Sequence, residues 1–173
     1  MRRILLLDDE VNVLHALQRA LRESFKEIVL QIETFSDPEQ ALLRSGEAVF
    51  DVVMSDYRMP GMNGAEFLRV IMGVQPEATR LILSASTDFT EVTNAINRAE
   101  VFRYLAKPWS PDTLHKTFDA AFSRHDEVVN ARRITDASHS KLSPQELEAR
   151  RLEAEEPGIT KVKWGKDGSV HLE

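Results

Sequence analysis

Five side chains in this sequence could share one piece of chemistry, and each stands at or just past the end of a short apolar run. Asp8 and Asp9 follow residues 4–7, Asp56 follows residues 50–55, Ser84 follows residues 81–83, and Lys107 comes just after residues 101–105. If those runs are parallel strands of one sheet, their carboxyl ends lie along a single edge. Carboxylates gathered there repel unless a cation neutralises them. Mg2+ suits such a group, because it takes hard oxygen ligands, needs few protein carboxylates and leaves places for phosphate oxygens. A serine hydroxyl can donate to a phosphoryl oxygen, and an ammonium can neutralise it as a point charge. The five residues therefore predict one site for a metal and an anion, with one carboxylate as the nucleophile.

The elements that would position these groups alternate up to about residue 122. Residues 4–7, 28–35, 50–55, 81–83 and 101–105 read as strands. Between them Val11, Leu14, Leu17, Leu21 and Phe25 recur at helical spacing. Ser36-Asp37-Pro38 is a helix start, with proline in the first turn. Further helices are expected from Ala65 to Gly73, from Asp88 through Ala99, and from Ser110-Pro111-Asp112 onward with Leu114, Phe118 and Phe122 facing inward. Strands alternating with helices give an α/β fold with a parallel sheet buried on both faces. The flavodoxin-like, doubly wound five-stranded order is the natural choice.

Beyond residue 122 the pattern thins. The last helix keeps a seam through His125 and Val128, and residues 135–142 read as a linker. Ser143-Pro144-Gln145-Glu146 opens a charged helix ending at Glu156-Pro157-Gly158. Residues 160–164 and 169–172 alternate around Gly165-Lys166-Asp167-Gly168, which predicts a small hairpin, with Trp164 buried where it docks. The expected division is 1–122, 123–142 for the extended helix and linker, and 143–173 for a short tail.

The chain has 173 residues, no cysteine and a net charge of -6, so disulfides and thiolate chemistry are excluded. An acidic surface gives no electrostatic help toward phosphate backbones, and no direct nucleic-acid contact is expected. The opening apolar run stops at Asp8-Asp9-Glu10, too short for a signal peptide, and no stretch reaches membrane-span length. The expectation is a cytoplasmic protein. His15, His115, His125, His139 and His171 show no paired metal spacing, and Trp109 reads as packing.

Leu6-Leu7-Asp8-Asp9-Glu10, then Asp51-Val52-Val53-Met54-Ser55-Asp56-Tyr57-Arg58-Met59-Pro60-Gly61-Met62-Asn63-Gly64, then Ser84-Ala85, then Tyr104-Leu105-Ala106-Lys107-Pro108 closely resemble the receiver domains of two-component response regulators. Each motif alone is common; all of them in order form a specific signal over residues 1 to about 122. The resemblance implies that Asp56 accepts a phosphoryl group. It puts Asp9 and Asp56 on Mg2+ with the backbone carbonyl of Arg58, and Asp8 nearby. It implies that Ser84 and Lys107 contact the phosphoryl group, that Tyr104 is a switch residue, and that Lys107-Pro108 is cis. It also implies that Arg58 and Ser86 flank the acyl phosphate, so that Arg58→Asn changes its lifetime more than its rate of formation. The implied donor is a sensor histidine kinase or a phosphotransfer protein. The implied output is a protein target or self-association through the face from Asp88 to Phe122. Residues 94–109 resemble receivers joined to cyclic-di-GMP phosphodiesterases of the HD-GYP type or to hydrogenase-type activators.

Two other functions compete. A Mg2+-dependent phosphatase using an aspartyl phosphate resembles an Asp-x-Asp pair after the first strand, where this chain has Asp8-Asp9-Glu10. A transcription factor would need a DNA-binding module, and residues 138–173 offer one charged helix and a possible hairpin, too little for a helix-turn-helix. The expectation is a phosphoacceptor switch, not an enzyme acting on other substrates. It is either a stand-alone receiver with a short tail or the receiver of a longer regulator with a phosphodiesterase or DNA-binding output.

Overall fold

The computed structural model describes residues 1–85 and 99–140, together with 148, 151–152, 154, 163–164 and 170–171. The expected helix from Asp88, the loop position Ser86 and most of the tail lie outside the described residues.

Five strands, β1 (Arg2–Leu7), β2 (Leu30–Phe35), β3 (Val52–Asp56), β4 (Thr79–Ala85) and β5 (Arg103–Lys107), form one parallel sheet in the order β2-β1-β3-β4-β5. Four helices flank the sheet among the described residues of the first 140: α1 (Val11–Ser24), α2 (Pro38–Glu47), α3 (Gly64–Val74) and α4 (Pro111–Ser140). This is the flavodoxin-like, doubly wound order expected from the alternation of elements. The middles of β1, β3 and β4 are apolar runs because both of their faces are covered. Ile4, Leu6, Val52, Met54, Leu81, Leu83 and Leu105 pack against Leu14, Leu17 and Leu21 of α1 and Leu114, Phe118, Ala121 and Phe122 of α4. Leu5, Leu7, Val53 and Ile82 turn the other way, onto Ala41 of α2 and Phe67, Leu68 and Ile71 of α3. The strand period of two thus sorts one run of sequence into two cores.

Local signals fix the helix starts. Asp37 caps α2 by accepting the Glu39 N–H at 2.9 Å, with Pro38 in the first turn. Asn63 and Glu66 form a reciprocal capping box that starts α3. Gln75 closes the far end of that layer. Its amide accepts the Phe50 N–H at 2.9 Å and donates to the carbonyls of Ser45 and Ala48, both at 2.6 Å.

Several boundaries differ from the sequence reading. Ile28 and Val29 precede β2 because the Ile28 N–H closes a turn onto the Phe25 carbonyl. The fifth strand is Arg103–Lys107, not residues 101–105, because it pairs through Ala85 with Lys107. The expected linker at residues 135–142 is helical through Ser140. No glycine or proline interrupts it, and the Thr135 hydroxyl donates back to the Ala131 carbonyl.

The chain divides into two compact units, Met1–Val129 and Asn130–Glu173. In the second, Lys163–Trp164 (β6) pairs antiparallel with Val170–His171 (β7), the small hairpin expected from the turn residues between them. The side chain of Trp164 is outside the described residues. Among the described residues no helix is long and apolar enough to cross a membrane.

Candidate functional site at the carboxyl edge of the sheet

The registers bring the candidate residues to one edge. Asp8 follows Leu7, which pairs with Ser55; Asp56 pairs with Leu83; Ala85 pairs with Lys107. Asp8 is completely buried. Its Oδ1 accepts the Glu10 N–H at 2.9 Å and its Oδ2 accepts from Lys107 Nζ at 2.8 Å. The same ammonium lies 2.6 Å from Asp56 Oδ1 and 3.9 Å from Glu10 Oε1. Asp56, 5% exposed, also accepts the backbone N–H of Arg58. The Lys107–Pro108 peptide is cis.

The electrostatics follow from burying two acids beside one base. Burial raises the Asp56 pKa above the ordinary carboxylate value, and the Asp8 charge adds to it; Lys107 opposes this without cancelling it. Burial alone would lower the Lys107 pKa, but its hydrogen bonds to Asp56 and Asp8 outweigh that and hold it raised.

The backbone around Asp56 is equally constrained. The Tyr57 N–H bonds to the Leu83 carbonyl at 2.8 Å, and the Gly64 N–H to the Tyr57 carbonyl at 2.9 Å. The start of α3 then lies so close to β3 that a Cβ on Gly64 would sit 2.0 Å from the Asp56 carbonyl oxygen. Only glycine fits there. Nothing in the sequence spacing of Gly64 announces this contact.

The other expected residues are placed as follows. Asp9 is exposed just past β1, and Arg58 is exposed in the loop after β3. Ser84 is buried near the end of β4, with its Oγ 3.3 Å from the Ala85 carbonyl oxygen. Tyr104 is half-buried against the core on the α2–α3 side. Trp109 packs, half-buried, against the α1–α4 side, as expected. His125, expected in a surface or packing role, is buried at the opposite edge of the sheet, with its ring between Asp51 and the Glu77 carbonyl.

Among the described residues no three carboxylate or imidazole groups converge as a ready-made metal cage. Asp8 and Asp56 are instead bridged by the Lys107 ammonium, which shows that this pair of acids calls for positive charge between them. Two buried carboxylates with exposed Asp9 beside them form a hard-oxygen donor set, and that chemistry fits Mg2+.

A parallel sheet of this strand order, with its polar groups at the carboxyl edge, defines the flavodoxin-like α/β class. Within that class the chain belongs to the response regulator receiver domain family, whose model matches residues 4–119. It is 36% identical over 114 residues to the hydrogenase transcriptional regulatory protein HoxA of Cupriavidus necator, covering 66% of this chain and 23% of that protein. It is 29% identical to HoxA of Bradyrhizobium diazoefficiens, covering 97% of this chain and 33% of that one. The DNA-binding transcriptional regulator NtrC of Salmonella typhimurium is 30% identical, over 74% of this chain and 26% of its own length. The chain therefore spans about a quarter to a third of these relatives. Among solved structures, the signal receiver domain of an HD domain-containing protein from Pseudomonas fluorescens is 29% identical with a TM-score of 0.64, over 73% of this chain and 90% of that one. An adenylate cyclase from Rhodopirellula baltica is 30% identical with a TM-score of 0.71, over 78% and 97%. Hydrogenase-type regulators are thus among the relatives.

Proposed function

We propose that the chain is a phosphorylation-dependent switch in which Asp56 takes a phosphoryl group from the phosphohistidine of a sensor kinase or phosphotransfer protein. The observation that carries this is the convergence of buried Asp8, buried Asp56 and Lys107 at the carboxyl edge. An Asp56 oxygen attacks phosphorus, the new P–O bond forms as the P–N bond breaks, and the imidazole leaves. Lys107, already between the two acids, turns its charge toward a phosphoryl oxygen. Ser84, one residue from the end of β4, donates its hydroxyl to another. Mg2+, held by Asp8, Asp9, Asp56 and the carbonyl of Arg58, would supply further neutralisation of the phosphoryl oxygens. Catalysis here is positioning and charge stabilisation by the receiver itself, with no separate substrate.

In this reading residues 1–122 are the switch, 123–142 the extended last helix and linker, and 143–173 a short tail. Tyr104 and the face from Asp88 to Phe122 carry the output to a protein partner or a second copy, in the cytoplasm. The relatives favour one further statement. Because NtrC is a DNA-binding transcriptional regulator and the chain matches about a quarter of it, the output is transcriptional, reached through protein contacts or through a longer regulator of which this is the receiver.

The test is intact-mass measurement after incubation with a small acyl phosphate and Mg2+, alongside Asp56→Ala. One phosphoryl adduct that requires Mg2+ and vanishes in the variant is expected. An adduct that survives Asp56→Ala, or none with any donor including a phosphorylated histidine kinase, overturns the reading.

A further inference from the structure

The opposite edge of the sheet holds a second cluster of charge that the phosphoacceptor site does not use. His125, on α4, is 8% exposed. Its Nε2 lies 3.1 Å from Asp51 Oδ1, and its Nδ1 lies 3.0 Å from the Glu77 carbonyl oxygen. Asp51 immediately precedes β3, and Glu77 lies in the turn before β4, so one ring ties α4 to two strand starts. The neighbouring groups are charged as well. Asp126 takes a bidentate pair from Arg2 of β1 at 2.7 and 2.6 Å, and the Arg2 guanidinium lies 5.2 Å from the Phe122 ring centroid. Arg124 faces Glu127 on α4 itself, at 3.6 Å.

Both atoms facing the ring are acceptors. A backbone carbonyl can only accept, and an ionised carboxylate can only accept. Asp51 is further held in its ionised form because its Oδ2 takes the Arg3 backbone N–H at 2.9 Å. A neutral imidazole has one N–H and one lone pair, so it can satisfy one of these partners and must face the other with a lone pair. Only the imidazolium, with two N–H groups, makes both contacts.

We propose that protonation of His125 is a second input to this protein: as an imidazolium it clamps α4 to the starts of β3 and β4, and as a neutral ring it must release one of them. The segment it governs, residues 122–129, forms the last turns of α4 inside the compact unit Met1–Val129, and the helix continues from there to Ser140. The clamp lies at the edge remote from Asp56, so it acts on the helix independently of phosphorylation.

The direction is set by the surroundings. The Asp51 hydrogen bond raises the His125 pKa; burial opposes this, and the Glu77 carbonyl, Asp51 and Asp126 add to the rise. A raised folded pKa means that the clamp is complete below the ordinary histidine value of about 6.5 and is lost as pH rises through the folded value.

The test is nitrogen-detected NMR titration of the histidine rings in the full unphosphorylated chain, with amide exchange of residues 122–129 corrected for intrinsic rate. His125 should titrate above about 6.5. Protection should fall as it does so, by about tenfold for each unit that its pKa lies above the unfolded value. Asp51→Asn, which keeps an acceptor but removes the charge, should move the titration down, and Asp56→Asn should leave it where it is. A His125 titration at or below 6.5, one that Asp51→Asn does not move, or one that leaves the protection of residues 122–129 unchanged, overturns the proposal.

Discussion

Lys107 Nζ lies 2.6 Å from Asp56 Oδ1, closer than its 2.8 Å contact with Asp8 Oδ2. One ammonium therefore serves two buried acids, and the group is one positive charge short. That deficit is a cost in the resting protein and an opening for a cation.

The cost predicts that removing the phosphoacceptor charge stabilises the fold. Asp56 has its pKa raised by burial, so its contribution to stability is complete below the unfolded value, near pH 4, and is lost as pH rises through the raised folded value. Asp56→Asn removes that loss and leaves Asp8 and Lys107 as a neutral pair. It should be more stable than the parent by about 1 kcal/mol at neutral pH, with the difference shrinking toward pH 4. Thermal melts of both proteins from pH 4 to 7.5 check this; a less stable variant would contradict it.

The opening for a cation predicts the behaviour of Lys107→Ala. Deleting the ammonium strands two buried carboxylates and should cost about 3 kcal/mol. Millimolar Mg2+ should restore part of that loss, and should stabilise the variant more than the parent, since in the variant nothing competes for the space between the acids. Urea unfolding in Mg2+ and in chelator measures both effects. Equal Mg2+ stabilisation of the two proteins would argue that the ion does not enter between Asp8 and Asp56.

Gly64→Ala addresses the backbone beneath the acceptor. Its Cβ would meet the Asp56 carbonyl oxygen at 2.0 Å, the carbonyl carbon at 2.8 Å and Ser55 Oγ at 3.0 Å. Two of the three are backbone atoms at the end of the central strand β3 and cannot swing aside. The helix must back away, which should cost about 2–3 kcal/mol and misplace the Asp56 carboxylate. The denaturation midpoint and the rate of adduct formation should both fall, whereas Gly46→Ala and Gly73→Ala, at positions with open space, should leave adduct formation unchanged.

What the sequence reveals about this molecule depends on how local the determining contact is. The alternating cores, the Asp37 cap and the apolar runs ending in Asp8, Asp56 and Lys107 are legible because period and neighbouring residues decide them. The strand ends are less so: residues 101–102 look like strand and Lys107 does not, yet ladder pairing with Ala85 makes Lys107 the last strand residue. His125 could be placed on the inner seam of α4, three residues after Phe122, but not beside Asp51, because that partner is set by tertiary packing. Gly64 and Arg80 are silent for the same reason.

Arg80 carries the last prediction. It is 7% exposed at the start of β4, and its side chain is spent on backbone carbonyls and on the Glu100 carboxylate, 3.6 Å from Nη2. Nε donates to Ala99 at 3.1 Å, Nη1 to Ala78 at 2.9 Å, and Nη2 reaches Glu100 at 3.4 Å. The Phe102 N–H returns a bond of 2.8 Å to the Arg80 carbonyl. Backbone and side chain together fasten the approach to β5, which among the described residues is an edge strand of the sheet. Arg80→Met keeps the aliphatic packing and strands these carbonyls, so it should destabilise by about 3 kcal/mol. Arg80→Lys should recover less than half of that, since one ammonium cannot reproduce a planar fork of donors. The loss should appear first as faster amide exchange at residues 101–105. Lys107 is held at the other end of the strand by its pairing with Ala85, so the folded fraction of Arg80→Met should still form the Asp56 adduct at close to the parent rate. A variant that keeps its stability, or that stays folded but loses the adduct, would show that Arg80 acts on the site directly and not through the anchoring of β5.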